Sequence, residues 1–157
     1  MDSEPVRSFD FAAPEPQHPH AAAIFQLLLQ QGQTAVDLIA LNDRQNAAIA
    51  DKRMQMVIEV LDQKQPLVQR LGQFGAEVNA LVENDQMDAV IESDLATLRQ
   101  LQDKVQSVIG TLMRQEEGSR KDLEEIRGEI AEEMKTQTSA TAAASAYARM
   151  QRGAENR

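Results

Sequence analysis

The stretch that decides the fold is IESDLATLRQLQDKVQSVIGTLMRQEEGSRKDLEEIRGEI, from Ile91 to Ile130. Stepping through it alternately by four and three residues gives a seam in which nine of twelve positions are apolar. The seam positions are Ile91, Leu95, Leu98, Gln102, Val105, Ile109, Leu112, Glu116, Ser119, Leu123, Ile126 and Ile130. A three-and-four spacing sustained over about five heptads is typical of a coiled-coil helix. The pattern therefore predicts a long third helix, from about Met87 to Gln137.

The seam has one weak point, in RQEEGSRKD. Glu116 and Ser119 place polar groups in the seam there, and Gly118 lies between them. Ser119 with Asp122 also resembles an N-cap pair, which would begin a separate helix after a turn. Because the heptad phase runs across this point unbroken, we expect one helix with a soft point at Gly118.

Two amphipathic helices are expected before the long one. The first begins near His20, and polar residues interrupt its apolar stripe. Those interruptions are Gln31, Asn42 and Gln45. Asp51 is expected to open the second helix, although residues 46–51 fit a turn and a continuous helix equally well. Together the three helices predict an all-α fold, an elongated antiparallel hairpin or three-helix bundle with a long coiled-coil-like third helix.

The second helix is expected to bury a broad apolar face. Its apolar residues are Met54, Val57, Ile58, Leu61, Val68, Leu71, Phe74, Val78 and Leu81. Pro66 lies inside this pattern and predicts a kink, because proline lacks a backbone N–H and its ring clashes with the preceding turn. ENDQMD (Glu83–Asp88) is then the expected connection to the third helix.

Composition supports a helical protein. The chain has 157 residues, 42% of them hydrophobic but only 3% aromatic, and it contains no cysteine. Leu, Ile, Val, Ala and Met suit narrow seams between helices better than a thick core. The net charge of −9 argues against a general nucleic-acid binder. No signal peptide and no membrane-spanning run is recognised, so a cytoplasmic location is expected.

The chain is expected to have three parts. Residues 1–19 hold four of the five prolines, and we predict a disordered arm in which little is buried. Phe9 and Phe11 in this arm fit either a short docking peptide or incidental aromatics. Residues 20–137 form the helical bundle. Residues 138–157 form a flexible Ala-rich tail, which has too little apolar area to stay folded unaided.

No catalytic, cofactor-binding or metal-binding residues are predicted. The only histidines, His18 and His20, flank a proline in the expected arm and make a poor metal site without further ligands. Carboxylates are plentiful, but on solvated helix faces they lack a cleft that would adapt them to acid–base chemistry. The expectation is therefore a protein that is not an enzyme and that binds no cofactor.

Binding of a partner through helices is the class of function that remains. Between Leu95 and Leu112 we expect the seam to be closed by the chain's own first two helices or by a second copy. Beyond the soft point we expect those helices to be too short to cover the seam, which leaves an exposed apolar face for an amphipathic helix of a partner. The residues of that face are Leu123, Ile126, Ile130 and Met134.

Several segments resemble the FlgN-type flagellar export chaperones. AIADKRMQMVIEVLDQKQPLVQRL (Ala48–Leu71) is similar to the segment that joins the family's first two helices, including the pair Lys64-Gln65. LMRQEEGSRKDLEEIRGEI (Leu112–Ile130) is similar to the family's third helix. SAYARM (residues 145–150) resembles the C-terminal end of the family's sequences, which is rich in small residues and contains a tyrosine. The chain differs from the family in its longer proline-rich arm and in a tail richer in Ala and Thr.

The resemblance implies a cytoplasmic chaperone for flagellar hook–filament junction proteins. Such a chaperone keeps the terminal helices of its cargo unassembled and delivers the cargo to the flagellar type III export gate. Carried over to this sequence, Leu123, Ile126, Ile130 and Met134 would contact the cargo helix, and Tyr147 would dock to the gate. The alternative is a structural coiled-coil hairpin or signalling adaptor that dimerises through its heptad seam. A receptor of that class should show a membrane segment and unbroken heptads on both arms, whereas Pro66 interrupts the second helix.

Overall fold

The computed structural model describes the backbone of residues 8–155 and the side chains of residues 8–129, 131–132, 135–136 and 148–149. Within this part of the chain there are three α-helices and one short 3-10 helix, and no strand. The elements in chain order are α1 (Pro19–Ala50), α2 (Met54–Val82), the 3-10 helix (Asp85–Ala89) and α3 (Glu92–Glu155). The prediction of an all-α fold is confirmed.

Two histidines and a proline set the beginning of α1. Pro19 stands in the first turn, where its missing N–H costs nothing and its fixed φ suits the helix. The Nδ1 atom of His18 accepts a hydrogen bond from the backbone N–H of His20 at 3.2 Å and so caps the helix. His20 Nε2 donates to the carbonyl oxygen of Leu81 at 2.7 Å, which ties the first turn to the end of α2. Both imidazoles therefore have structural partners.

A tight turn separates α1 from α2. Asp51 was predicted to open α2, but it is the C-cap of α1, and its backbone N–H bonds to the carbonyl of Ala47 at 3.1 Å. Lys52 has φ 56°, in the left-handed region, and this residue reverses the chain. The prediction for Asp51 is therefore wrong: the turn lies at residues 51–53, and α2 begins at Met54.

The rest of α2 and α3 agrees with the sequence prediction only in part. α2 is helical through Pro66. The predicted link at Glu83–Asp88 overlaps the 3-10 helix, whose first turn is capped by Asn84 Oδ1 accepting from the backbone N–H of Gln86 at 2.9 Å. α3 extends to Glu155 and not to Gln137. Alanine has the highest helix propensity of all residues, so the Ala-rich segment continues the helix where the apolar seam ends.

The chain divides into two compact units, Met1–Ser119 and Arg120–Arg157. The boundary falls next to the predicted soft point, and α3 is helical through Gly118. The first unit contains α1, α2, the 3-10 helix and the first part of α3. The second unit, as far as it is described, consists of the α3 segment from residue 120 to residue 155 alone.

The core of the first unit lies where α1, α2 and α3 meet. Its largest fully buried apolar side chains are Ile24, Leu38, Leu101, Val57, Val60 and Val105. Leu98, Val105 and Leu112 of the predicted seam are buried against other helices of the same chain, as expected. The four-and-three stepping missed Leu101, which is fully buried while Gln102 beside it is exposed. Ile91, the first seam residue, is exposed because it precedes the start of α3.

The segment before α1 packs on the bundle. Phe9 is only 9% exposed and belongs to the main apolar cluster. Its backbone N–H donates to Gln33 Oε1 at 2.8 Å, and Lys104 Nζ lies 4.9 Å from the centre of its ring. The expectation that little of residues 1–19 is buried is therefore wrong for Phe9. Sequence periodicity could not detect this burial, because Phe9 lies outside any helix.

Gly32 of α1 provides the space that Phe9 fills. A Cβ built on Gly32 would lie 2.6 Å from Cδ1 and Cε1 of the Phe9 ring, closer than nonbonded carbon atoms can approach. Phe11 continues the contact by packing edge-to-face against Phe25, with ring centres 6.0 Å apart. Residues 1–7 of the predicted arm lie outside the described residues.

Candidate partner-binding surfaces

The first candidate surface lies on α3 in the second unit, and we call it the α3 stripe: Leu123, Ile126, Ile130 and Met134. With 100° of rotation per residue, these four positions fall within about 80° of the helix circumference. Leu123 and Ile126 are partly exposed. The side chains of Ile130 and Met134 lie outside the described residues, although the backbone of both is helical. The α3 stripe thus places the four predicted cargo residues on one helix face.

The α3 stripe has charged edges of opposite sign. Arg120 and Arg127 lie along one edge, and Asp122 and Glu129 lie along the other. All four side chains are exposed. Arg120 also pairs with Glu124 one turn further on, at 3.7 Å. A solvated pair of this kind contributes about 0.3–0.5 kcal/mol to helix stability.

Tyr147, predicted to dock to the export gate, stands on a different face of α3. Counting from Leu123, its position is about 100° around the helix from the centre of the α3 stripe. Its side chain lies outside the described residues, and its backbone is helical. A cargo helix on the stripe and a contact through Tyr147 would therefore use separate faces.

The second feature is a polar layer across the three helices of the first unit, centred on Lys64. The Lys64 side chain is only 7% exposed. Its ammonium lies 2.7 Å from Glu116 Oε1 and donates to Gln45 Oε1 at 3.1 Å. A buried ammonium without such partners would cost several kcal/mol, so the layer fixes how α1, α2 and α3 align at this level. Lys64 belongs to the Lys-Gln pair of the family resemblance, and Gln65 is exposed.

The same layer continues towards the unit boundary. Ser119 Oγ donates to Asn46 Oδ1 at 3.0 Å, and Asn42 Nδ2 donates to Gln115 Oε1 at 3.4 Å. Asn42 Oδ1 and Gln45 Nε2 are buried without a hydrogen-bond partner among the described residues. Such orphaned groups each cost about 1–3 kcal/mol. The part of the first unit next to its boundary is therefore polar and less stable than the apolar core.

The third feature is an exposed apolar patch, which we call the α2 surface: Ile58, Leu61 and Val68. These side chains are 51%, 39% and 51% exposed. They were predicted to share the buried face of α2, and that prediction is wrong. Val57 and Val78 of the same predicted face are buried as expected, and so is Val60, which the prediction left out. The apolar sector of α2 is wider than the surface that the other helices cover, which a helical pattern alone cannot reveal.

A small apolar cleft opens at the other end of the first unit. Its volume is about 220 Å³, below the range of about 300–1,000 Å³ typical of small-molecule sites. It lies between α1, α2 and α3 and is lined mostly by apolar side chains. The lining residues are Ile24, Leu28, Val78, Val82, Met87, Leu95, Leu98, Arg99 and Gln102. The cleft has room for one or two apolar side chains of a partner.

Among the described residues, no three His, Asp or Glu side chains lie together as metal ligands. None of the described helices contains a stretch that is long and apolar enough to span a bilayer.

Comparisons with protein-family models, with curated proteins and with solved structures gave no match to this chain. The likeness to FlgN-type chaperones therefore rests on the sequence segments quoted above.

Proposed function

We propose that the protein is an export chaperone of the FlgN type. In this proposal it binds flagellar hook–filament junction proteins in the cytoplasm and delivers them to the flagellar type III export gate. The α3 stripe (Leu123, Ile126, Ile130 and Met134) contacts the cargo helix, and Tyr147 docks to the gate. The observation that carries the proposal is the second unit, a helical segment with an apolar face and no second described element inside that unit.

A helix in this situation favours a partner. Most helical stability in proteins comes from packing an amphipathic face and not from propensity. The α3 stripe offers four apolar positions on one face, and Leu123 and Ile126 remain partly exposed. A second amphipathic helix, laid along the stripe with its own apolar residues at three- and four-residue spacing, would bury both faces. Helices kept from premature assembly are the cargo that the family resemblance implies.

The first unit supports the proposal in a different way. Its core is closed by its own helices, and Leu98, Val105 and Leu112 of the seam are buried there. Dimerisation through that part of the seam, which the alternative of a structural coiled coil requires, would have to displace α1. The first unit therefore serves as a folded support, and the α3 stripe lies outside its core.

The test is co-purification with a helical cargo fragment. The variant Leu123→Asp/Ile126→Asp places two carboxylates in the apolar contact with the cargo helix. We therefore expect it to lose cargo binding, while its helical circular dichroism stays almost unchanged. The matched control is Ile58→Asp/Val68→Asp on the α2 surface, which should keep both properties.

Two outcomes would contradict the proposed site. If only the control variant loses cargo, the binding site is the α2 surface. If Leu123→Asp/Ile126→Asp loses its helical signal, these residues are part of a core and do not bind a partner.

A further inference from the structure

The edge charges of the α3 stripe follow a coiled-coil pattern. With Leu123 and Ile130 at a positions and Ile126 at d, the basic residues Arg120 and Arg127 fall at e. The acidic residues Asp122 and Glu129 then fall at g, on the opposite edge. Residues at e and g lie beside the seam and meet the edges of a partner helix, so their charges determine which orientation a partner can adopt.

This pattern matches a second copy of the same segment in one orientation only. When two identical helices lie parallel, the two-fold axis runs along them, and the g edge of each faces the e edge of the other. Asp122 of one copy then meets Arg127 of the second copy, and the reciprocal pair forms as well. When the two helices lie antiparallel, e faces e and g faces g, so Arg127 approaches Arg127 and Glu129 approaches Glu129.

We propose that a second copy of this chain docks on the α3 stripe in the parallel direction, through residues 120–134. This inference goes beyond the proposed function, because it needs no cargo. The seam has only three apolar positions per helix, Leu123, Ile126 and Ile130, because Met134 falls at e. Isolated helices of about 12–15 residues are also marginal in water. The dimer is therefore weak and dependent on concentration, and it covers the α3 stripe until a longer cargo helix displaces it.

Cysteine crosslinking of the full-length protein tests the contact, because the natural chain contains no cysteine. In a parallel dimer Ile126→Cys lies opposite itself at a d position, close enough for a disulfide, which requires Cα atoms about 4.4–6.8 Å apart. Glu132→Cys is the matched control, because Glu132 is exposed and lies on the opposite face of α3. With a mild oxidant, Ile126→Cys should form covalent dimers several times faster than Glu132→Cys. Equal rates would overturn the proposal.

A mixture of two variants tests the direction. Leu123→Cys and Ile130→Cys are separated by about 10 Å along the helix axis, too far for a disulfide between parallel copies. Antiparallel copies would bring these two positions together. Both are a positions, which face their own copies in a parallel dimer, so we expect Leu123→Cys and Ile130→Cys each to crosslink to itself. Predominance of the mixed disulfide would overturn the parallel arrangement.

Charge reversal tests the edges. In the Ile126→Cys background, Arg127→Asp replaces two attractive ion pairs by repulsion, so the dimer should weaken about tenfold. Asp122→Arg/Arg127→Asp restores opposite charges and should restore crosslinking, whereas equal yields from all three proteins would refute the pairing. Thermal unfolding confirms that each variant is folded. If Ile126→Cys crosslinks only to a cysteine-bearing cargo fragment, the stripe is a cargo site alone and the homodimer is overturned.

Discussion

The contact between Phe9 and Gly32 predicts that Gly32→Ala, a kind of change that normally stabilises a helix, will destabilise this protein. Gly32→Ala adds a methyl group in the interior of α1, where alanine is preferred to glycine by about 1 kcal/mol. That methyl group would lie 2.6 Å from the Phe9 ring, so the ring must leave its place. Displacing a nearly buried phenylalanine forfeits about 2–3 kcal/mol of burial. The two contributions together predict a net loss of about 1–2 kcal/mol.

Urea unfolding followed by circular dichroism measures this free energy. Gly72→Ala in α2 is the matched control, because a Cβ at Gly72 meets nothing within 4 Å. The control should gain up to about 1 kcal/mol from helix propensity alone. Phe9→Ala/Gly32→Ala should be more stable than Phe9→Ala, because the clash is gone and only the propensity gain remains. If Gly32→Ala stabilises the protein as much as Gly72→Ala does, Phe9 does not occupy this position and the reasoning is refuted.

Three further predictions concern the polar layer, the α2 surface and the tail. Glu116→Gln removes the carboxylate that neutralises the buried Lys64, so it should lower the free energy of unfolding in urea by about 1–2 kcal/mol. Lys64→Met/Glu116→Gln should lower it by less than the sum of its two single changes. Val68→Asp should change the free energy of unfolding by less than about 0.5 kcal/mol, because Val68 is 51% exposed, and a loss above about 2 kcal/mol would show that it is covered. Tyr147→Ala should spare cargo co-purification but reduce export in cells, and equal loss of both would remove the docking role.

Much of the fold follows from one strong pattern. The seam of α3 predicts a long helix because apolar residues at three- and four-residue spacing can share a face only in that structure. Leu98, Val105 and Leu112 are buried as this pattern requires. The end of α3 was harder to predict, because the Ala-rich segment has helix propensity without an apolar period. Asp51 was misassigned because an acidic residue near a helix boundary fits a cap at either end of a turn.

The polar layer and the arm required three-dimensional information. The sequence shows that Gln45 and Glu116 interrupt their apolar stripes, but it cannot show that both interruptions meet Lys64 of α2. Likewise, Phe9 and Gly32 are distant in sequence, and neither belongs to a periodic pattern that would pair them. For the α3 stripe, spacing alone places Leu123 and Ile126 on one face, and their partial exposure is what the structure adds.

Hydrogen exchange of the backbone amides in residues 120–155 tests the central claim most directly, with and without a helical cargo fragment. The account predicts fast exchange after about Met134 in the free protein, because an unpacked helix opens readily. Added cargo should slow exchange along the α3 stripe, while the core of the first unit stays unchanged. Full protection of this segment without cargo, or no change when a bound cargo is present, would contradict the claim that the second unit is the partner-binding part of this protein.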